Sequence, residues 1–327
     1  MFSPLISVII PTYNRSHYLP CAVESVLGQV GVEVEVLVVD DGSTDDTAKI
    51  VEGLAPRWGE RVRYFWQENA ERSIARNNGL RHASGEFIAF LDSDDVWCPH
   101  HAQACLALLS THPDAIAAYG EYGQITADGH SIRAWVRGPQ STGDGFFRDL
   151  YLKRLILQPT RVVLRRSALG TTDIFDPEIP GAEDWLLWVS LSRHGAFYPV
   201  GRATVWMRVH PNTTFGNPAA FTRSLMRAAE KVIATGLPQS VGIQARQIIA
   251  INRTHCAYAY YLSGNWVEAL GFLNGALRGY PAIVCEPDFW QVVVRLCIGK
   301  KLSRFIRAVR QQGRGELVGI ARPQLIP

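Results

Sequence analysis

The chain has 327 residues, 47% hydrophobic and 19% charged, enough apolar material for about two folded domains and too much for a disordered chain. Its 33 Lys and Arg against 30 Asp and Glu leave a net charge of +3, which excludes a strongly basic nucleic-acid binder and an acidic tail protein.

The first hundred residues alternate strand and helix signals. Leu5–Ile10 is an apolar run stopped by Pro11, the pattern of a buried strand. Ser16–Gln29 carries Leu19, Val23, Val26 and Leu27 at helical spacing. Val34–Val39 reads as a second strand, ended by Asp40, Asp41 and Gly42. Asp45–Leu54 reads as a helix with an acidic first turn that suits the helix dipole. Arg61–Trp66, Glu71–His82 and Glu86–Leu91 follow as strand, helix and strand, the last ended by Asp92, Ser93, Asp94 and Asp95. Such units imply an α/β fold with a largely parallel sheet between helices. Ligands of these sheets bind beyond the carboxyl ends of the strands, which puts Pro11–Asn14, Asp40–Asp41 and Asp92–Asp95 along one edge.

From 112 to 218 the pattern loosens. Strands are expected over Ala115–Tyr122, Ser131–Val136, Arg161–Leu164 and Ala203–Val209, and a helix over Glu183–Arg193. Beyond 219 the chain reads as helical, and Tyr258–Leu277 resembles a single tetratricopeptide hairpin. Six cysteines without a C-x-x-C pair speak against structural zinc and for reduced thiols.

Asp92 and Asp94 share a face if the chain there is extended. Like charges this close are costly unless a cation lies between them. Carboxylates are hard ligands that suit Mg²⁺ or Mn²⁺. The D-x-D therefore suggests a metal-bridged diphosphate, with a solvated Asp-rich turn as the other reading.

The motif has company. Ser7–Arg15 (SVIIPTYNR), Val38–Asp45 (VVDDGSTD), Ala75–Gly79 (ARNNG) and Gly85–Asp95 (GEFIAFLDSDD) stand in a fixed order. Through these blocks the chain resembles the family 2 glycosyltransferases, more loosely so to about residue 215. The resemblance implies a GT-A type fold, with a mostly parallel Rossmann-like central sheet flanked by helices. The expected organisation is a catalytic domain over 1–218 and a helical C-terminal region over 219–327. Within the first, residues 1–98 would bind the nucleotide and 99–218 the acceptor.

The resemblance further implies metal-dependent, inverting transfer of a sugar from a nucleoside-diphosphate sugar, a UDP-sugar foremost, to a hydroxyl of a glycan or lipid-linked acceptor. Pro11, Thr12, Tyr13, Asn14 and Asp41 would hold the nucleotide base. Tyr13 stacks on it or packs in the core. Arg76 would reach the base or the diphosphate, and Ser93 would lie beside the donor. Asp92 would approach the ribose or the metal, and Asp94 would bind Mn²⁺ or Mg²⁺ directly. Gly181–Trp188 resembles the family's E-D segment at a helix start, with Asp184 as general base and Glu183 orienting the acceptor. Met207–Thr214 resembles its R-x-H segment, with His210 at the metal or diphosphate. The alternatives are a non-catalytic scaffold of the same fold and a nucleotidyltransferase; against the latter, no Gly-rich phosphate loop is present.

The charge is unevenly spread. Residues 288–327 hold eight basic and two acidic side chains, a net +6 that leaves −3 for residues 1–287. Trp290, Val293, Val294, Cys297, Leu302, Phe305, Ile306 and Val309 recur there at roughly helical spacing. A basic amphipathic helix either lies on an anionic membrane or packs on its own domain. With neither a spanning segment nor a signal peptide in view, the expectation is a cytoplasmic protein held at the inner face of the membrane, near lipid-linked acceptors.

Overall fold

A computed structural model describes residues 6–136, 143–152, 157–209, 217–239 and 242–298. His210 and the basic segment from 299 onward lie outside the described residues. The chain divides into two compact units, one of Met1–Asn212 and Arg227–Ile243, the other of Thr213–Met226 and Gln244–Pro327.

Among the described residues, the first unit is built on a nine-stranded sheet. Its opening part pairs β1 (Ile6–Thr12), β2 (Val34–Asp40), β3 (Val62–Trp66) and β4 (Phe87–Phe90) in parallel, in the order β3-β2-β1-β4. Every residue of β1, β2 and β4 is buried, which is why they read as unbroken apolar runs. Side chains alternate across the sheet. Ile6, Val8 and Ile10 join the core with Leu19, Val23 and Val26 of α1 (Leu19–Leu27). On the other face, α3 (Arg72–His82) follows α2 (Thr47–Trp58) and packs on β1 and β2. Gly79 permits that approach: a Cβ there would stand 2.5 Å from Ile9 Cγ2 and 3.1 Å from Val39 Cγ2.

The later elements are β5 (Val96–Trp97), α4 (His101–Thr111), β6 (Ala115–Ile125), β7 (Ser131–Val136), α5 (Gly143–Tyr151), β8 (Val162–Arg165), α6 (Glu183–Leu191) and β9 (Ala196–Arg208). They extend the sheet as β4-β8-β6-β9-β5, with β7 on β6. β8 is antiparallel to β4 and β6, β6 and β9 are parallel, and β5 and β7 join antiparallel. The parallel pairing expected from the sequence thus describes the first four strands, and the second half is mixed. β9 begins at Ala196, seven residues before the expected start at Ala203, because Pro199 and Gly201 interrupt its apolar pattern.

α7 (Pro218–Ala234) spans the division between the units. The second unit contains α8 (Ala245–Ser263), α9 (Trp266–Gly279) and a helix over 287–298. Gly264 ends α8 at φ 90°, a left-handed cap. The Asn265 side chain then caps α9 by accepting from Glu268 N. Tyr260 stacks on Phe272, and Arg253 donates to the Gly275 carbonyl at 2.8 Å, so α8 and α9 pack as a helical hairpin. No helix among the described residues is long and apolar enough to cross a membrane.

Candidate active site

The carboxyl ends of β1, β2 and β4 lie side by side at one sheet edge, with Thr12 paired in register to Asp40. The loops that follow are stitched together. Asn14, in a left-handed φ of 51° that Asn tolerates, accepts from Thr44 N at 2.8 Å through its side chain and donates its backbone N–H to Ser43 Oγ at 2.9 Å. Pro11 and Thr12 are buried, Tyr13 is exposed, and the Thr12 hydroxyl has no hydrogen-bond partner among the described residues.

Asp41 is buried, and its carboxylate accepts from Gln67 Nε2 (2.7 Å), Ala70 N (2.9 Å) and Glu71 N (3.0 Å). A carboxylate offers about four acceptor sites, so one remains. Asp40 accepts from Tyr64 Oη at 2.6 Å and Ser43 N at 2.8 Å.

Beyond β4, Asp92, Ser93, Asp94 and Asp95 turn back under β9. Ser93 and Asp95 are buried. Asp95 accepts from the Arg208 backbone N–H (2.9 Å) and the Thr160 hydroxyl (3.0 Å). Burial, then the Asp94 and Asp92 carboxylates, push the Asp95 carboxyl well above its ordinary range. The loop is thus a concentration of negative charge that a cation would relieve. Among the described residues no three His, Cys, Asp or Glu side chains converge as a metal site. Asp92 and Asp94 still fit a hard cation, because Mg²⁺ usually takes only one or two protein carboxylates and fills its shell from phosphates.

Arg76, on α3, is 1% exposed and lies between this loop and α6. One terminal nitrogen donates to Asp92 Oδ1 at 2.8 Å and the other to Glu183 Oε1 at 3.0 Å. Burial alone would lower its pKa, but Asp92 and Glu183 outweigh burial and hold it above the ordinary value. The resemblance placed this guanidinium at the base or diphosphate; here each terminal nitrogen holds one carboxylate, which leaves further N–H donors. Glu183 is buried as well, its second oxygen accepting from Gly181 N at 2.6 Å. Each of its oxygens thus holds one hydrogen bond from within the protein. Asp184 follows in the first turn of α6, half-buried and within electrostatic reach of Arg76.

The Arg208 guanidinium donates to the carbonyls of Asp94 (2.9 Å), Thr126 (3.1 Å) and Ala127 (2.7 Å), an anchor for the Asp loop. Two further supports had no role assigned from the sequence. Thr160 accepts from Asp92 N at 3.2 Å while donating to Asp95. Asn77 exchanges both hydrogen bonds with the Phe175 backbone, at 2.8 and 3.0 Å. Each pairing joins residues more than sixty positions apart, beyond any local pattern.

The site thus sits on a parallel half-sheet with acidic strand ends, joined to a mixed half-sheet that adds a helix headed by Glu183 and Asp184. The family model for glycosyl transferase family 2 matches residues 7–171, and the chain belongs to that family. It is 32% identical over 195 residues to TuaG of Bacillus subtilis, a protein named for teichuronic acid biosynthesis, covering 59% of this chain and 74% of that one. Several other curated glycosyltransferases that it matches are much longer, and the chain spans only 29–37% of their length. Among solved structures, the S. aureus TarS 1–349 complex with UDP-GlcNAc is 24% identical with a TM-score of 0.60, covering 83% of this chain and 81% of that one. The mannosyltransferase PcManGT of Pyrobaculum calidifontis, in complex with GDP-Man and Mn²⁺, is 18% identical with a TM-score of 0.56, covering 90% and 87%. These likenesses establish a GT-A type fold.

Proposed function

We propose that the protein transfers a glycosyl group from a UDP-sugar to a hydroxyl of a glycan or lipid-linked acceptor, with inversion and with Asp184 as general base. The observation that carries this reading is the Arg76 bridge. It ties the carboxylate loop after β4 to the start of α6 through Glu183, 107 residues from Arg76 in the chain, so donor-side and acceptor-side groups share one buried frame.

In this reading Pro11, Thr12, Tyr13, Asn14 and Asp41 hold the nucleotide. The remaining acceptor site of Asp41 takes a base N–H, the orphaned Thr12 hydroxyl gains a partner, and exposed Tyr13 covers the base. Ser93 and Asp92 lie beside the ribose. Asp184 takes the proton from the acceptor hydroxyl as that oxygen attacks the anomeric carbon from the face opposite UDP, in one displacement. Asp94 and Asp92 would hold a divalent cation, which when bound offsets the charge developing on the leaving diphosphate. The UDP-GlcNAc and Mn²⁺ in the two structural neighbours support the donor and cation classes. Attachment to an anionic membrane surface through the second unit completes the reading. It is supported by the basic residues of 288–327.

The test is a panel of UDP- and GDP-sugars with Mn²⁺, read by nucleoside-diphosphate release and by thermal shift. At least one UDP-sugar should be hydrolysed slowly without acceptor. Activity with GDP-sugars alone would correct the donor, and silence across the panel in both readouts would favour the non-catalytic scaffold.

A further inference from the structure

We infer that Asn78 is a positioning residue for base recognition. Through Gln67 it holds the Asp41 carboxylate so that the remaining acceptor site meets a ring N–H, which uracil offers and cytosine does not. The inference rests on the reading of Asp41 as the group that holds the base. Gln67 follows β3 directly, and its backbone N–H donates to the Asp40 carbonyl at 2.9 Å, which brings its side chain beside the end of β2. Its Nε2 donates to Asp41 Oδ1 at 2.7 Å, and its Oε1 accepts from Asn78 Nδ2, on α3, at 2.8 Å. Ala70 N donates to the same Oδ1 and Glu71 N to Oδ2. Three donors fix the plane of the carboxylate and leave the open acceptor site on Oδ2.

The polarity of this relay is set at its two ends. A glutamine amide is nearly symmetric in shape but carries donors on one side and an acceptor on the other. Asp41, acceptor-only when ionised, needs the N–H side. Asn78 supplies a donor that keeps the amide oxygen turned away from it. Gln67 and Asn78 are half-buried, so water can replace either bond at little cost to stability. What water does not supply is direction. Cytosine has the outline of uracil but a bare ring nitrogen, whose lone pair would face the fixed carboxylate. A site built to bond an N–H rejects an analogue that lacks it far more strongly than shape alone would. A carboxylate free to swing would find the exocyclic amino group of cytosine instead, and the preference would shrink.

The experiment measures UDP and CDP binding in Mn²⁺ by calorimetry for the full chain, wild type and variants. The wild type should prefer UDP over CDP by about 10–100-fold. Asn78→Asp sets two carboxylates against one amide N–H side, so the preference should fall about fivefold or more, with the CDP Kd changed less than about threefold. Asn78→Ala, which only frees the amide, should lower the preference by about threefold. In a Gln67→Ala background Asn78→Asp should lower it no further, because both act through one amide. Equal weakening of UDP and CDP would mark a packing defect in α3, and a further fall in the Gln67→Ala background would show that Asn78 acts on the base directly. Either result, or an unchanged preference in both Asn78 variants, overturns the inference. If Asn78→Asp does not fold, Asn78→Ala decides alone by the same ratio. A wild type that binds UDP and CDP alike, or an Asp41→Asn variant that keeps the preference, defeats the reading of Asp41 as the base ligand and the inference with it.

Discussion

Asp184 and His101 are ionisable groups with opposite demands on the fold. Asp184 stands at a helix start within electrostatic reach of the buried Arg76, and as general base it would have to act as the anion. Asp184→Asn keeps the shape and removes the proton acceptor. It should lower kcat by about 10²–10⁴-fold while UDP binding by calorimetry stays within about twofold; a loss smaller than tenfold would exclude it as the base. Asp94→Ala should act on the other side, weakening UDP binding in Mn²⁺ but not in EDTA. Equal binding of UDP to wild type with and without Mn²⁺ would remove that role. His101 must stay neutral. It is fully buried against Trp97, with Nδ1 2.8 Å from Thr204 Oγ1 and no partner for Nε2 among the described residues. Burial, then the charge of Arg161, lowers its pKa from 6.5 to about 3. The unfolded chain therefore binds more protons than the folded one between those values. The contribution of His101 to stability is complete above pH 6.5 and is lost as pH falls toward 3. At roughly 1.4 kcal/mol per unit, acidification from pH 7 to 4.5 should cost the wild type about 2–3 kcal/mol more than His101→Gln in urea unfolding. Parallel pH profiles would disprove the coupling.

At the scale of elements, α3 decides how closely the site can be built. Its sequence is polar and poorly amphipathic, yet it lies on β1 and β2 because Gly79 has no Cβ to hold it off. On helix propensity alone, Gly79→Ala would stabilise by about 1 kcal/mol. The methyl group would meet Ile9 and Val39 at 2.5 and 3.1 Å, and such overpacking costs about 1–3 kcal/mol. The clash should win, so Gly79→Ala should unfold at lower urea concentration than wild type; a higher midpoint would mean that α3 can lift without cost. The same elements show what a sequence reveals. β1, β2 and β4 were legible because burial on both faces leaves an apolar run that few other structures tolerate. The Asp clusters were legible because charges at the ends of buried strands serve no packing purpose. β5 was not, since two residues carry no period, and α4 was not, because its buried face of Ala102, Cys105 and Leu109 is small and weakly apolar. The partnership of Arg76 with Glu183 was beyond reach for a different reason. Each residue type was visible, but the contact exists only once β8 and α6 have been laid beside β4.

For the whole molecule the net charge of +3 hides a separation. Thr213–Met226 and Gln244–Pro327 carry twelve basic and four acidic residues, a net +8, which leaves −5 for the first unit. The basic unit also holds Trp266, Val267, Leu270, Leu277, Val284, Trp290 and Val294 as exposed large apolar side chains, two of them tryptophans. Tryptophan favours the boundary between water and lipid, and each Lys or Arg near an anionic surface contributes about 1 kcal/mol. An anionic bilayer would therefore draw the second unit toward it and disfavour the acidic first unit. This attraction is screened over about 8 Å at physiological salt, whereas insertion of apolar side chains is not. Two signatures should separate in co-sedimentation with phosphatidylserine-containing vesicles. Removing residues 299–327 should abolish most of the salt-sensitive part of binding, and Trp266→Ser with Trp290→Ser should weaken what remains at high salt. Absence of binding at low salt would refute membrane attachment. So would a truncation that lowers the melting temperature and leaves vesicle binding unchanged, since the basic segment would then serve only to cover its own domain.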